Sequence, residues 1–118
     1  MATVVKGVAL LTAAAHAGGK PIGLRLAADG YDVVVSTEAL LKGRAAAIRA
    51  TGRRAEAFRN LTYDDAELNA LVDTCEALGP ITLVVHIAPD HVPAARIEAA
   101  IRQRGHAPVV ITGAELSG

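Results

Sequence analysis

A glycine pair followed by a lysine stands where a predicted strand gives way to a predicted helix. The stretch "TAAAHAGGKPIG", residues 12–23, comes directly after the apolar run Val8–Leu11. Its Gly18, Gly19 and Lys20 can present backbone amides and a cation to a phosphate or another anion at a helix start. The alternative is that the glycines only let strand and helix pack closely. The flanking alanines favour this second interpretation, because a phosphate-cradling turn depends on close backbone approach.

Three histidines and an aspartate are candidates for a metal site. His16, His86, His91 and Asp90 are expected in loops at the carboxyl edge of the predicted sheet, and imidazole and carboxylate groups are ligands of zinc and iron. No H-x-x-x-H or C-x-x-C spacing accompanies them, so hydrogen-bonding surface histidines are the favoured interpretation, and we predict no metal. His106 belongs to the opposite edge and is expected to be structural.

The single cysteine and the clustered arginines have structural explanations. Cys75 lies on an apolar stripe, so a buried and unreactive thiol is favoured over a nucleophile. The arginines at 52–54 and 102–104 stand near predicted helix ends, where they offset the helix dipole. Aromatic residues make up only 3% of the chain, so no stacking platform for nucleic acid accompanies these arginines.

Composition limits the class of protein. The chain has 118 residues, 52% of them apolar and 20% charged, which indicates one globular domain with a modest core. The formal net charge is +0, so no global field attracts nucleic acid or anionic lipid. The N-terminal stretch is too short to span a membrane, and the lone cysteine fits a reducing cytosol. We therefore predict a cytoplasmic protein with no nucleic-acid or membrane partner.

Glycines separate alternating helices and strands. At four places a helix-like stretch ends in glycine and a β-branched or apolar run follows, as expected of helix C-terminal caps. These glycines are Gly30, Gly52, Gly79 and Gly105. The predicted strands are Val8–Leu11, Val33–Val35, Ala55–Phe58, Leu83–Ile87 and Val109–Ile111.

The helices are predicted from apolar residues at helical spacing. Thr62 can cap a helix over 63–78, and Pro93 lies near the first turn of a helix over 93–104. The stripe of the first contains Leu68, Leu71, Val72, Cys75 and Leu78, and that of the second contains Ile97, Ala100 and Ile101. Alternating strands and helices with short links predict an α/β fold, with a parallel sheet covered by helices on both faces.

Four runs together resemble the short-chain dehydrogenase/reductase family, in style closest to bacterial 3-oxoacyl reductases. They are "VALLTAAAHAGGKPIGLRLAADGYDVVV", "ATGRRAEAFRN", "EALGPITLVVHIA" and "RQRGHAPVVITGAELSG". The resemblance implies one Rossmann-like domain over residues 1–118, with a doubly wound parallel sheet of five strands in the order 3-2-1-4-5, truncated after the fifth. Members of the family move hydride between NAD(P) and an alcohol or ketone.

The family's glycine turn is altered in this chain. The pattern T-G-x-x-x-G-x-G falls on Thr12, Ala13, Ala17 and Gly19, so methyl groups replace two of the hydrogens that let the backbone turn and approach a pyrophosphate. Proline likewise takes the place of glycine in the family's N-N-A-G motif, which matches residues 86–89 and retains Ala88.

The positions for ribose and adenine are also altered. Glu38 follows the second strand and would repel the 2′-phosphate of NADP, although Ser36 or Thr37 is more simply expected to cap the next helix, with Glu38 offsetting its dipole. Asn60 stands where the family has an acidic residue that accepts the adenine amino group. The cofactor residues implied by the resemblance, all vestigial, are Thr12, Gly18, Gly19, Lys20, Glu38, Asn60 and Ala88.

No catalytic residue is predicted. The family uses a serine after the fifth strand and a Y-x-x-x-K motif, but Ser117 falls a few residues late, and neither Tyr31 nor Tyr63 has a lysine four residues on. The prediction is a non-catalytic subunit that pairs with an active short-chain dehydrogenase, one acting on acyl thioesters for instance, with no cofactor or NAD at best weakly bound. The alternatives are a weak NAD, nucleotide or anion-binding module, and an NAD-dependent oxidoreductase completed by a partner chain.

Assembly is expected from the fifth strand and the helix before it. The strand at Val109–Ile111 is uncharged and is predicted to form a sheet edge, which favours pairing with another chain. Ile97 and Ile101 are expected to be only partly buried within one chain. The predicted partners are therefore an active paralogue in a hetero-oligomer, or a second copy in a homodimer.

Overall fold

Five parallel strands form one sheet in the order β3-β2-β1-β4-β5. The computed structural model describes residues 6–14, 19–38 and 42–112. The strands are β1 (Val8–Thr12), β2 (Asp32–Thr37), β3 (Ala55–Arg59), β4 (Ile81–His86) and β5 (Val109–Thr112). The helices are α1 (Gly19–Ala28), α2 (Lys42–Arg49), α3 (Asp65–Glu76) and α4 (Ala94–Gln103), and a single 3-10 turn, Pro89–His91, precedes α4. The α/β fold and the predicted strand order are confirmed.

Helices cover both faces of the sheet. Side chains of α1 and α2 pack on one face with Leu11, Val33 and Val85, and side chains of α3 and α4 pack on the other with Leu10 and Val84. Alternate residues of each strand serve alternate faces. This two-sided burial explains why the central strands are apolar at successive positions.

The glycine caps are confirmed. All four predicted cap glycines have positive φ angles, from 88° at Gly105 to 151° at Gly79. Glycine adopts this conformation without steric cost, so each helix can end and the chain can turn at once into the next strand.

Two predicted helix caps are wrong. Thr62 does not cap α3, because Asp64 is the N-cap and its carboxylate accepts a hydrogen bond of 2.8 Å from the backbone amide of Glu67. The Glu67 carboxylate in turn accepts hydrogen bonds from the backbone amides of residues 61–63. Ser36 and Thr37 are part of β2, and α2 begins only at Lys42. Neither residue can therefore cap that helix.

The expectation that α4 is only partly buried is also wrong. Ile97 and Ile101 are 1% and 0% exposed, because they enter the cluster formed by α3, β1 and β4. The exposed apolar side chain in this part of the fold is Val109 on β5, at 63%.

A buried carboxylate fixes the amino-terminal edge of β2. Asp32 accepts hydrogen bonds from the backbone amide of Arg54 at 3.1 Å and from its guanidinium at 2.9 and 3.1 Å. The same guanidinium donates to the carbonyl oxygen of Leu78 after α3. One arginine therefore joins β2 to the end of α3.

Candidate site at the carboxyl edge of the sheet

Polar side chains gather where the parallel strands end. Thr12 closes β1, Ser36 lies near the end of β2, His86 closes β4 and Asn60 directly follows β3. The carboxyl edge is where open α/β sheets place their ligands. All four residues are buried, at 0 to 1% exposure, so they form a polar row inside the protein.

His86 joins a strand to a helix. Its Nδ1 lies 2.6 Å from the hydroxyl oxygen of Thr12, and its Nε2 lies 3.2 Å from a carboxylate oxygen of Glu98 on α4. Glu98 also pairs with Arg102 one turn further along α4, at 3.6 Å. Hydrogen bonds thus run without a break from the end of β1 to the surface of α4.

The partners of His86 fix its tautomer. A carboxylate only accepts hydrogen bonds, so Nε2 carries the proton and donates to Glu98. In the neutral ring Nδ1 then accepts from the Thr12 hydroxyl. Burial lowers the pKa of His86 below its ordinary value, while the Glu98 carboxylate acts in the opposite direction. The neutral ring is therefore the favoured state of this group.

Asn60 and Ser36 form a second buried pair. The carboxamide nitrogen of Asn60 donates to the hydroxyl oxygen of Ser36, and the backbone amide of Asn60 donates to the carbonyl oxygen of Thr37 at 2.8 Å. The carboxamide oxygen is buried without a hydrogen-bond partner. The Asn60 side chain therefore lies within the polar row, not on the surface of the crevice.

The turn after β1 holds an alanine in a conformation that favours glycine, and it packs against a glycine of α1. Ala13 has a φ angle of 54° and is 5% exposed, so it adopts the left-handed conformation that favours glycine. Gly19 opens α1, and a Cβ there would collide with the carbonyl oxygen of Ala14. Close packing of the turn against α1 thus requires glycine at position 19, whether or not Gly19 also contacts a ligand.

An arginine that sequence reasoning missed lies at this turn. Arg44 of α2 donates a hydrogen bond to the carbonyl oxygen of Ala14 and lies beside Gly19. The first turn of α1 contains no acidic residue. No motif points to Arg44, because its position depends on how α2 packs against α1.

The remaining predicted cofactor residues are spread around the crevice. Lys20 and Glu38 are exposed, Ala88 is partly exposed, and the backbone carbonyl of Glu38 accepts a hydrogen bond from Arg59 at 3.0 Å. Gly18 and Ala17 lie outside the described residues. The structure therefore brings Thr12 and Gly19 to one turn but keeps Asn60 and Glu38 on the β2–β3 side.

The predicted loop histidines do not share one environment. His86 is the last residue of β4 and is buried, which corrects its predicted place in a loop, whereas His91 and Asp90 are exposed in the 3-10 turn. His16 lies outside the described residues. Within residues 6–14, 19–38 and 42–112, no three His, Cys, Asp or Glu residues are grouped so that they could hold a metal ion.

His106 and Cys75 are structural, as predicted. His106 bonds to the Glu76 carboxylate at 2.8 Å and accepts from the backbone amide of Ile81 at 3.4 Å, at the edge opposite the crevice. Cys75 is fully buried on the apolar stripe of α3. Burial raises the pKa of its thiol to about 12, so the thiolate is not formed near neutral pH.

Comparisons with known proteins confirm the resemblance. No family model matches the chain. The short-chain dehydrogenase/reductase eriH of Hericium erinaceus is 41% identical over 87 residues, which cover 68% of this chain. Hydroxysteroid dehydrogenase from Escherichia coli superposes with a TM-score of 0.73 at 23% identity over 92% of the chain. A short-chain dehydrogenase from Mycobacterium paratuberculosis bound to NAD gives 0.71 at 21% identity over 94%.

The chain spans only part of these relatives. It covers 34% of eriH, 57% of the Escherichia coli enzyme and 56% of the Mycobacterium paratuberculosis enzyme. The two solved structures establish the fold, and the match to eriH shows that the chain is also related in sequence to a short-chain dehydrogenase/reductase. Among the described residues, no helix is long and apolar enough to cross a membrane.

Proposed function

Because this chain is related to the short-chain dehydrogenases/reductases, we propose that it is a non-catalytic subunit that pairs with an active member of that family and stabilises or positions it. The observation that carries the proposal is Ala13. Its methyl group occupies the first glycine position of the family's cofactor turn, where the backbone is left-handed and 5% exposed. The first glycine of the pattern permits the tight turn, so the turn is retained although alanine replaces the residue that adopts its conformation without strain; this supports a turn that no longer has to accept a pyrophosphate.

NAD fits the described part of the crevice poorly. The side chains of Thr12 and Asn60 are turned into the protein, where they bond to His86 and Ser36. Pro89 begins the 3-10 turn where the family has glycine. Glu38 is exposed and would repel a 2′-phosphate. We infer that NADP does not bind and that NAD binds weakly at best, and we derive no hydride-transfer step.

A partner surface is proposed at β5. Val109 is 63% exposed, and Ile111, two residues on, is on the same face of the strand. Ile111 lines an open cavity of about 400 Å³ together with Ile22, Leu26 and Leu83. Arg25 and Asp29 also line this cavity, so an uncharged strand lies beside a mainly apolar cavity with charged groups, an arrangement that favours association with another chain. We assign this surface to the active dehydrogenase.

Titration with NADH tests the cofactor part of the proposal. We expect no increase in nicotinamide fluorescence at micromolar protein and cofactor. The triple variant Ala13→Gly, Ala17→Gly and Pro89→Gly restores the family's glycines and should gain measurable affinity. Micromolar binding by the unmodified chain would refute the non-catalytic assignment.

Copurification tests the partner. The tagged chain should retain a full-length short-chain dehydrogenase from its own source, and light scattering should give the mass of a defined complex. Val109→Lys should weaken that complex. Leu61→Lys is the matched control, because Leu61 is comparably exposed at 59% but lies after β3. A partner retained equally by both variants would exclude β5 as the contact.

A second candidate function is a weak nucleotide or anion-binding module. Arg44 beside Gly19 favours it, since the guanidinium and Lys20 both lie at the start of α1, where anions are stabilised. Isothermal titration with ADP should then show binding that Arg44→Ala weakens and Arg49→Ala, a substitution at the far end of α2, does not. Absence of heat at millimolar ADP would exclude this candidate.

The third alternative, an NAD-dependent oxidoreductase completed by a partner chain, makes a different prediction. In that case the mixture with the copurified dehydrogenase should oxidise or reduce substrate faster than the partner alone, and Ala13→Gly should raise the rate further. A rate set entirely by the partner's own active site would favour the non-catalytic subunit.

A further inference from the structure

One buried imidazole connects the two loops that flank the carboxyl edge. Thr12 immediately precedes the turn at Ala13 and Ala14, and Glu98 belongs to the helix that follows the 3-10 turn. Through its two nitrogens His86 holds both partners at once, at 2.6 and 3.2 Å. The bond to Glu98 closes the segment 87–97, which contains the whole β4–α4 loop.

The hydrogen bonds of this group are complete only with a neutral ring. With the proton on Nε2, the Thr12 hydroxyl donates to Nδ1 and every polar atom is satisfied. A second proton on Nδ1 turns that nitrogen into a donor, so the bond reverses: Nδ1 donates to the Thr12 hydroxyl oxygen, and the hydroxyl proton loses its acceptor. Thr12 is 0% exposed, and its hydroxyl proton cannot turn to bulk water. An unsatisfied buried donor is costly.

Among residues 6–14, 19–38 and 42–112, few charged groups face the imidazole. From α4 it faces Glu98, whose other oxygen pairs with Arg102. From β1 and β5 its neighbours are the uncharged Thr12 and Thr112. From α3 the adjacent cluster receives only uncharged side chains. They are Leu68, Leu71, Val72 and Cys75, and the Cys75 thiol stays protonated. The next titratable groups along the chain are Asp90 and His91 in the 3-10 turn.

We propose that His86 is a proton-operated tie between the β1–α1 turn and the β4–α4 loop. The neutral ring holds the two together, and protonation reverses the bond to Thr12 and weakens that side of the tie, while the pair with Glu98 persists. The lowered pKa of His86, caused first by burial, supports this order of events. The stabilisation by the neutral ring is then fully present above the ordinary pKa of 6.5 and is lost as the pH falls towards the lower folded-state pKa.

Nuclear magnetic resonance tests the tie directly. Imidazole and backbone amide signals are followed together between pH 8 and pH 5. We expect the amides of Ala13, Ala14 and Ile87 to shift with one common midpoint, equal to the midpoint of the His86 ring and below 6.5. Amides that stay unchanged through the His86 titration would overturn the proposal.

Two variants separate the tie from other titrations. His86→Asn cannot be protonated in this range and should abolish the amide transition, whereas His106→Asn at the opposite edge should leave it intact. Glu98→Gln tests the coupling while His86 stays in place. It removes the charge that raises the His86 pKa, so the titration midpoints of the ring and of the amides should move to lower pH together. A transition that survives His86→Asn, or midpoints that separate in Glu98→Gln, would refute the coupling.

Discussion

The ion pair between Asp32 and Arg54 leads to an unusual prediction, because its two partners differ in exposure. The Asp32 side chain is 1% exposed and the Arg54 side chain is 59% exposed. If Asp32 is removed, the guanidinium can turn to water. If Arg54 is removed, a carboxylate stays buried with one backbone amide and with Arg53 at 3.9 Å. Loss of the exposed partner should therefore be the more damaging change.

The magnitudes follow from these exposures. Leaving a buried charge without its partner costs about 3–5 kcal/mol, and the nearby Arg53 brings the expected value for Arg54→Ala to about 3 kcal/mol. Asp32→Ala loses hydrogen bonds to a charged group, a cost of about 1.5–3 kcal/mol. The double variant removes the stranded charge, so it should be more stable than Arg54→Ala alone.

Urea denaturation followed by circular dichroism at neutral pH measures these differences. Glu56→Gln is the control, because it breaks an ion pair at the surface. The Arg49 side chain is 49% exposed and the Glu56 side chain 52%, so the loss of this pair should cost less than about 1 kcal/mol. The reasoning is refuted if Asp32→Ala is more destabilising than Arg54→Ala. It is also refuted if Arg54→Ala costs no more than Glu56→Gln.

Three further predictions concern local features. Gly19→Ala should prevent folding or destabilise the protein strongly, because the added Cβ collides with the backbone. Gly43 has open space around it, so Gly43→Ala should stabilise the helix by about 0.5–1 kcal/mol. Thermal unfolding compares the two variants. Cys75, with its thiol pKa raised to about 12, should resist iodoacetamide at pH 8 in the folded protein and react after unfolding. The pKa of Glu76 is lowered, first by its hydrogen bond from His106, so its carboxylate stabilises the folded state near neutral pH. Glu76→Gln should therefore lower the free energy of unfolding at neutral pH. It should also reduce the loss of stability that the wild type shows when it is acidified below pH 4.5.

Much of the fold can be predicted because its signals are local. Four glycines with positive φ mark the helix ends, and apolar runs of strand length follow them. The strands extend beyond the predicted runs at polar residues such as Asp32, Ser36 and Thr37. These residues join the sheet through their backbones, and their burial depends on partners on other strands. Apolar periodicity cannot include them.

The polar row at the carboxyl edge depends on contacts distant in sequence. Thr12 and His86 are 74 residues apart, and Asn60 and Ser36 are 24 apart. Residue type made His86 a candidate metal ligand, although a hydrogen-bonding role was favoured there, and the family resemblance implied an adenine contact at Asn60. Their burial follows from strand register and from the position of α4, which a single sequence does not specify.

Strand periodicity nevertheless contains a signal for where these side chains lie. Two residues before each of these polar residues stands an apolar residue that packs beneath α3 and α4. These apolar residues are Leu10 before Thr12, Val34 before Ser36 and Val84 before His86. Alternation along a strand therefore assigns all three polar side chains to the same covered face.

A ligand approaching this edge would consequently meet other groups. The described side chains exposed or partly exposed there include Lys20, Glu38 and Arg44, and those of Pro89, Asp90 and His91 in the 3-10 turn. Within the described residues, recognition of a partner or an anion at the crevice has to depend on exposed groups such as these, because the buried polar row already holds the strands and α4 together. Substitutions in the polar row should therefore change stability and pH response, and substitutions at Lys20 should change binding alone, whereas those at Arg44 also remove its hydrogen bond to the carbonyl oxygen of Ala14.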